Sequence, residues 1–479
     1  MILNKGWHRE KPSLLTGVEA FFILNKLINQ GGTAFKIVPF GGDFLFFENL
    51  GGKFMERCLV NETEKKLEEV VKLQGWVHKL RKLGKIAFVL LRDRTGIIQC
   101  VVDAKKIDVK ELKLESVVEI EGIVKENEGR FEIQVNSIKT LSKALEKIPI
   151  EINKEDMELN IDTLIENRIL SMRNSRVNSV FKIETEIAHG FSEFLVKNGF
   201  TEIYTPKIVS EGAEGGTELF KLKYFDKEAY LAQSPQFYKQ MMVAAGYERV
   251  FEIGHVYRAE SHDTKRHLNE YISMDLEMGF INDEMDLIRF EIELLKYIFQ
   301  NVRQKCSKSI ELLKVEIPTI QEVPIMPLNE AITILREVYN KKELTTDIDH
   351  EGEELIGRFV KEKYNSDFVF LTHYSKDKRP MYTMPCGKNL THSFDLIFRG
   401  MEITTGGQRI NDYDMLRQSM LDKGLKVESF KSYLDVFKFG MPPHGGLAIG
   451  LERITIKLLN LDNIREAAFF VRDKKRILP

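Results

Sequence analysis

Two stretches of the chain concentrate groups suited to handling negative charge. The segment "VFEIGHVYRAESHDTKRHLNEY", residues 250–271, alternates apolar and polar residues at both ends as paired strands do, and its middle carries Arg258, His262, Lys265, Arg266 and His267. Cations crowded onto one hairpin suit an anionic ligand, because fixed positive charge stabilises negative charge without reorganisation. Arg258 and Glu260, two apart on an extended chain, share one face, whereas His262 and Lys265 suit an ordinary solvated loop. Near the C-terminus, "MPPHGGLAIGLERITIKLL" sets Gly450 ahead of a helix whose first turn holds Glu452 and Arg453.

Composition bounds the elements that could position these groups. With 479 residues, 43% hydrophobic and 30% charged, the chain is long enough for two to four globular domains. The net charge of -2 means that a polyanion would be met by local basic patches and not by the field of the whole molecule. Cys58, Cys100, Cys306 and Cys386 lie far apart with no CxxC or His spacing, which argues against a zinc site and a disulfide framework and fits a reducing cytoplasm. The apolar stretch 18–28 is too short to span a bilayer and lacks a signal peptide's cleavage pattern.

Residues 1–54 mix Gly pairs and scattered Phe without a sustained period, so no strand or helix array is expected there. Back-translation of residues 50–55 allows a purine-rich ribosome-binding sequence ahead of a start at Met55. Residues 31–34 can likewise be encoded by a tRNA-sensing leader element. The segment therefore reads as an N-terminal extension of mistranslated leader, with an ordinary appended arm as the alternative. From Val71 to Thr140 the pattern changes to five short alternating runs, "LQGWVHKL", "KIAFVLLRD", "GIIQCVVD", "SVVEIEGIV" and "RFEIQVNSI". Turn signals at 94–96 and 128–129, and a helical stretch at 104–112 between the third and fourth runs, give the order of an OB-fold barrel. Such barrels stack single-stranded bases on aromatics, although Phe88 taken alone reads more readily as core. The organisation expected is an α+β chain: barrel 55–148, hinge 149–175, and a larger domain 176–479 with an insertion around 282–390.

In the larger domain, 181–198 has helical periodicity, Gly199 marks its stop, and "NGFTEIYTPKIV" runs extended into Pro206. Pro206, "VYRAE" with its basic loop, and "GLAIGLER" together resemble the three motifs of class II aminoacyl-tRNA synthetases. The resemblance implies an antiparallel sheet flanked by helices and a homodimer with contacts around Pro206. Over nearly all of 55–479 the chain is most similar to archaeal-type aspartyl-tRNA synthetases, through "EGGTELF", "SPQFYK", "FDLIFRG", "GGQRI", "GMPPHGG" and "NIREAAFFVRDKKRILP".

That resemblance implies a role for each matching residue. Arg258 would meet the α-phosphate of ATP, Glu260 the adenine amino group, Arg266 and His267 the outer phosphates, and Tyr271 and Arg453 the two faces of the base. Ala259, Leu268, Gly450, Leu451 and Glu452 complete the implied ATP site, with Arg258 and Arg453 catalytic. Glu402, with Thr405 where the family commonly has Ser, would hold the magnesium. Glu214, Gln236, Phe237, Tyr238, Lys239, Arg258, Thr405 and Arg409 would bind L-aspartate. Lys239 and Arg409 are the decisive pair, because a carboxylate stripped of water needs fixed positive charge. Asparaginyl enzymes usually lack the lysine.

The activity so implied is ATP-dependent formation of aspartyl-adenylate and transfer to tRNA in the cytoplasm, with ATP and Mg2+ required. Phe88 would stack an anticodon base and Gln99 hydrogen-bond it. His78 stands where strictly tRNA-Asp-specific members commonly have Trp, which implies charging of tRNA-Asn as well as tRNA-Asp and a tRNA amidotransferase to convert the product. An asparaginyl-tRNA synthetase and a non-catalytic RNA-binding paralogue are the competing readings.

Overall fold

The structure is a computed structural model that describes residues 33–39, 45–53, 55–213, 219–261 and 263–478, the first two ranges by their backbone alone. Contacts divide the chain into two compact units, Met1–Pro149 and Ile150–Pro479. The leader expected over 1–54 falls largely outside the described residues. Within it, however, Thr33–Pro39 and Leu45–Lys53 pair as an antiparallel hairpin, against the expectation of no strands. The β-branched and aromatic residues of "FKIVP" and "LFFEN" favour extended backbone even though Gly pairs interrupt their period.

Five strands form a barrel in the first unit: β1 (Val70–Leu83), β2 (Ile86–Arg92), β3 (Ile97–Asp103), β4 (Val117–Asn127) and β5 (Arg130–Ser142). β1 pairs with both β2 and β4, and β3 pairs with β5, so the sheet closes on itself. Alternation decides the core: Val71, Leu73, Ala87, Val89, Leu91, Cys100, Val102, Ile120 and Ile133 all point inward. The β4–β5 turn has Glu128 and Gly129 both at positive φ, as the shortest hairpins require. The helix expected at 104–112 is absent, and turns take its place. Asp103 and Asp108 each accept the backbone N–H two residues on, a local bond that competes with helix formation.

The second unit is built on an eight-stranded sheet in the order Ile325–Pro327, Phe368–Thr372, Ser393–Phe398, Met401–Arg409, His444–Gly450, Glu270–Gly279, Arg249–Tyr257, Thr201–Glu202. The four central strands carry the site; in chain order they are β6 (Glu270–Gly279), β7 (Ser393–Phe398), β8 (Met401–Arg409) and β9 (His444–Gly450). Residues 282–390, expected as an insertion, contribute two strands to one edge of this sheet. One face is apolar: Met274, Leu276, Leu447, Ile449, Phe394 and Leu396 are buried in one cluster with residues of helices α1 (Ser175–Lys197), α2 (Glu284–Lys305) and α3 (Leu451–Leu459). The helix stop expected at Gly199 is seen, with α1 ending at Lys197 and Gly199 at φ +78°. The opposite face is polar, and register aligns its residues into rows.

Candidate active site

Cross-strand register creates the site. Asp275 of β6 lies opposite Ala448 of β9, Ala448 opposite Thr405 of β8, and Thr405 opposite Asp395 of β7. One row along, Glu277 lies opposite Gly446, and Gly446 opposite Gly407. Paired residues project to the same side of a sheet, so the middle strand must be small there to leave room for the carboxylates. A Cβ on Gly446 would lie 2.2 Å from Glu277 Oε2.

Glu402 needs an irregularity to join this face. Residues 402 and 405, three apart, point oppositely on a regular strand. The pairing of β7 with β8 shifts between Leu396–Thr404 and Ile397–Glu402, so Ile403 is an extra residue. This bulge brings Glu402 to the side of Thr405, whose hydroxyl donates to Glu402 Oε1 at 2.8 Å.

At one end of the cleft, Arg409 donates from Nε to Glu277 Oε1 at 3.0 Å and from Nη2 to Gln236 Oε1 and Gly446 O. Lys239 is fully buried; its Nζ donates to Asp275 Oδ1 at 2.8 Å and lies 3.5 Å from Glu277 Oε2. The two cations thus share Glu277. Burial pushes the Glu277 carboxyl up, but Arg409 and Lys239 outweigh it and hold the group below its ordinary range. Arg409 reaches the open cleft, whereas Lys239 sits behind the acidic pair and is paired with both carboxylates.

Arg258, Tyr271, Glu402, Thr405, Gly450 and Arg453 line the same cleft, with Gln236 and Arg409. Arg258 stands over the Tyr271 ring at 5.6 Å. The preceding strand ends at Tyr257, so Arg258, Ala259 and Glu260 lie just beyond it and not on it as expected. Asn269 Nδ2 donates to the carbonyls of both Arg258 and Glu260, which fixes that tip. Arg453 donates to Glu402 O at 3.1 Å. Arg266 is paired with Glu353, and His267 Nε2 lies 3.6 Å from Glu260 Oε2. Burial holds the His267 imidazole below its ordinary value despite Glu260.

Other expected residues lie elsewhere. Phe237 and Tyr238 line a neighbouring cavity, where Phe237 packs on Tyr433 at 4.4 Å between centroids. The side chains of Leu268 and Leu451 belong to buried apolar clusters, so only their backbone could meet a ligand. Glu452 is buried and accepts the Ile272 N–H, a tie between α3 and β6; burial pushes its carboxyl up to about 7, against the lowering effect of that hydrogen bond. Glu214 and His262 fall outside the described residues.

Sequence reading missed Asp275, Glu277, Arg379 and Asp395. The signal was acid within otherwise apolar strand runs, in "ISMDLEMG" and "SFDLIF". Asp395 is buried, pairs with Arg379 at 2.7 Å, and is pushed up to about 6 by burial and the nearby Glu402 carboxylate. Its Oδ1 has no hydrogen-bond partner among the described residues. That orphaned oxygen, the Glu402 carboxylate and the Thr405 hydroxyl form an all-oxygen donor set of the kind a hard divalent cation takes.

In the barrel, Phe88 is half-buried on the outer face, between Arg81 and Val101 on the adjoining strands. Gln99 shares that face, two positions along, and donates to Glu132 at 2.9 Å. His78 is the extra residue of a bulge in β1 and is buried. Its Nδ1 lies 2.9 Å from Arg92 Nη1, and Arg92 is paired with Glu115 at 2.7 Å. Burial, then Arg92, holds the imidazole below its ordinary value. Tyr204, two residues before Pro206, is 84% exposed.

Comparison with known proteins follows the same division. Residues 160–474 match the family of class II tRNA synthetases for D, K and N, and residues 71–141 match the OB-fold nucleic acid binding domain. The chain is 45% identical over 427 residues to an aspartate-tRNA(Asp/Asn) ligase of Thermus thermophilus, covering 88% of this chain and 100% of that one. It is 40% identical over 430 residues to an aspartate-tRNA(Asp) ligase of Pyrococcus abyssi, covering 87% and 98%. The asparaginyl-tRNA synthetase of Pyrococcus horikoshii, solved with asparaginyl-adenylate, superposes with a TM-score of 0.82 at 31% identity, covering 89% of this chain and 100% of that one. An OB-fold barrel followed by a polar-faced antiparallel sheet, matched in chain order at these levels, makes this chain a member of the class II aminoacyl-tRNA synthetases.

Proposed function

We infer that the chain is an ATP-dependent aspartate-tRNA ligase that charges both tRNA-Asp and tRNA-Asn. The observation carrying this reading is the cation pair Arg409 and Lys239, joined through Glu277 at the closed end of the cleft. A substrate carboxylate entering there meets a guanidinium already oriented by its own hydrogen bonds, so little is lost in ordering it. Arg258 would meet the phosphates and Arg453 the base of ATP; both line the cleft, and Arg258 stands over the Tyr271 ring, which supports that reading. The substrate α-carboxylate attacks the α-phosphorus, aspartyl-adenylate forms and pyrophosphate leaves. The tRNA ribose hydroxyl then takes the aspartyl group and AMP departs. No protein nucleophile is needed; alignment and fixed charge carry the barrier.

Asp395, Glu402 and Thr405 would hold magnesium, which supplies charge neutralisation at the phosphates. Residues 55–148 act as the anticodon-binding part, with Phe88 and Gln99 on its outer face, and 176–479 as the catalytic part, joined through 149–175. The enzyme works as a cytoplasmic homodimer around Pro206, and aspartyl-tRNA-Asn passes to a tRNA amidotransferase. Amino-acid-dependent ATP–pyrophosphate exchange tests the first half: aspartate supports it and asparagine does not, and the reverse would make this an asparaginyl enzyme. Charging of purified tRNA-Asn tests the second, and product no higher than background would remove it.

A further inference from the structure

We propose a zinc site formed by His373, Cys386 and His392, beside the magnesium ligands and chemically distinct from them. These residues are scattered in sequence, which is why Cys386 shows no zinc spacing. The fold brings one ligand atom from each to within 4.8 Å of the others. Cys386 pairs with Leu390 in the hairpin Pro385–Cys386/Leu390–Thr391, which sets His392 diagonally across from it on the same side. His373 joins from the neighbouring strand end, where its N–H donates to Ser393 O at 3.0 Å.

The surroundings are those of ligating imidazoles. His392 Nδ1 lies 2.6 Å from Glu284 Oε2, and Glu284 is buried at the first turn of α2. A carboxylate on one ring nitrogen fixes the tautomer and leaves the other nitrogen for a metal. His373 Nδ1 is engaged by Thr372 Oγ1 at 2.8 Å, and its Nε2 faces the other oxygen of the same Glu284 carboxylate at 3.6 Å, beyond hydrogen-bond length. One thiolate and two imidazoles prefer zinc to magnesium, which takes oxygen donors. Tetrahedral zinc with bonds of 2.0–2.3 Å sets its donors about 3.3–3.7 Å apart, so closure of about 1 Å is required. Half-exposed side chains supply that by rotation; His373 and His392 are 34% and 29% exposed. Binding releases the Cys386 proton, and water fills the fourth position.

The site has a consequence for the cleft. Lys378, Arg379, Tyr382 and Thr383 line it, and they lie on the segment between His373 and Cys386. Zinc ties both ends of that segment to each other and to His392, whose imidazole is held by Glu284 of α2, and so fixes the wall that carries Arg379.

The full-length chain, stripped with chelator and then titrated with zinc in excess magnesium, tests this. About one zinc per chain is expected after gel filtration, and cobalt in its place gives a thiolate-to-cobalt charge-transfer band. Cys386→Ser abolishes the band, His392→Ala weakens zinc binding at least about 100-fold, and Glu284→Gln weakens it about 10-fold. Zinc also slows alkylation of Cys386 at least about 10-fold, reversibly with chelator, a readout on the unmutated protein. Zinc well below one per chain, a band that survives Cys386→Ser, or alkylation unaffected by zinc would each overturn the site.

Discussion

Arg409 does two jobs that a lysine cannot combine. Its Nε holds Glu277 while Nη2 bridges Gln236 and Gly446, so the plane of the guanidinium is fixed before substrate arrives. An ammonium has the charge without the fork. Arg409→Lys should therefore lower kcat/KM for aspartate about 100-fold in pyrophosphate exchange, a loss of about 2.7 kcal/mol, with the KM for ATP within a factor of two. Equal losses toward both substrates would place Arg409 in folding and not in recognition. Glu402 presents an oxygen to the proposed magnesium beside Thr405 and accepts that hydroxyl. Glu402→Gln keeps the shape and removes the charge. Half-maximal activity should then require at least about ten times more magnesium, with partial recovery at saturation. A magnesium dependence identical to that of the unmutated protein would detach Glu402 from the metal.

At the scale of elements, the contiguous motifs were legible and the assembled rows were not. The hairpin around Arg258 and the Gly450–Arg453 helix start announce themselves because both ends of each motif are close in sequence. Asp275, Glu277 and Asp395 acquire meaning only when register sets them across Gly446 and Ala448, a non-local fact. Glu402 depends on a bulge, which alternation alone cannot locate. The false helix at 104–112 shows the reverse failure, where local side-chain bonds from Asp103 and Asp108 outweighed periodicity. Helix α1 carries a cost of its own. Glu184 is buried, with Oε2 unsatisfied, and burial, reinforced by Glu452, pushes its carboxyl up to about 9. The folded protein thus keeps a proton that the unfolded chain releases above its ordinary value of 4.5, so stability from this group is complete below 4.5 and drains away as pH rises toward 9. Glu184→Gln removes that drain. Its advantage in urea denaturation over the unmutated protein should grow by about 2–4 kcal/mol between pH 6 and pH 9. Parallel stability curves would mean that Glu184 is not held neutral.

At the scale of the whole molecule, the proposed function puts chemistry on the sheet and reading of the anticodon on the barrel, which gives mutations in the barrel a distinctive signature. Phe88 offers a half-buried ring on the outer face of β2, and base stacking on such a ring contributes about 1–3 kcal/mol. Phe88→Ala should weaken charging of tRNA-Asp and tRNA-Asn alike, by about 5- to 150-fold in kcat/KM. His78 differs in kind, because it is pinned in its bulge by Arg92, itself tied to Glu115. An indole has no acceptor for Arg92 and a larger outline, so a tryptophan there cannot keep the Arg92 contact and must reshape the bulge. His78→Trp should then cut charging of tRNA-Asn at least about 10-fold while tRNA-Asp stays within about 3-fold. Neither variant should change aspartate-dependent pyrophosphate exchange, since that reaction needs no tRNA-derived contact. Were His78→Trp to reduce both tRNAs equally, selectivity between the two tRNAs would have to reside outside the bulge, with His78 merely satisfying Arg92. Were exchange to fall as well, the barrel would be shaping the cleft directly, and the division of labour between the two units would have to be abandoned.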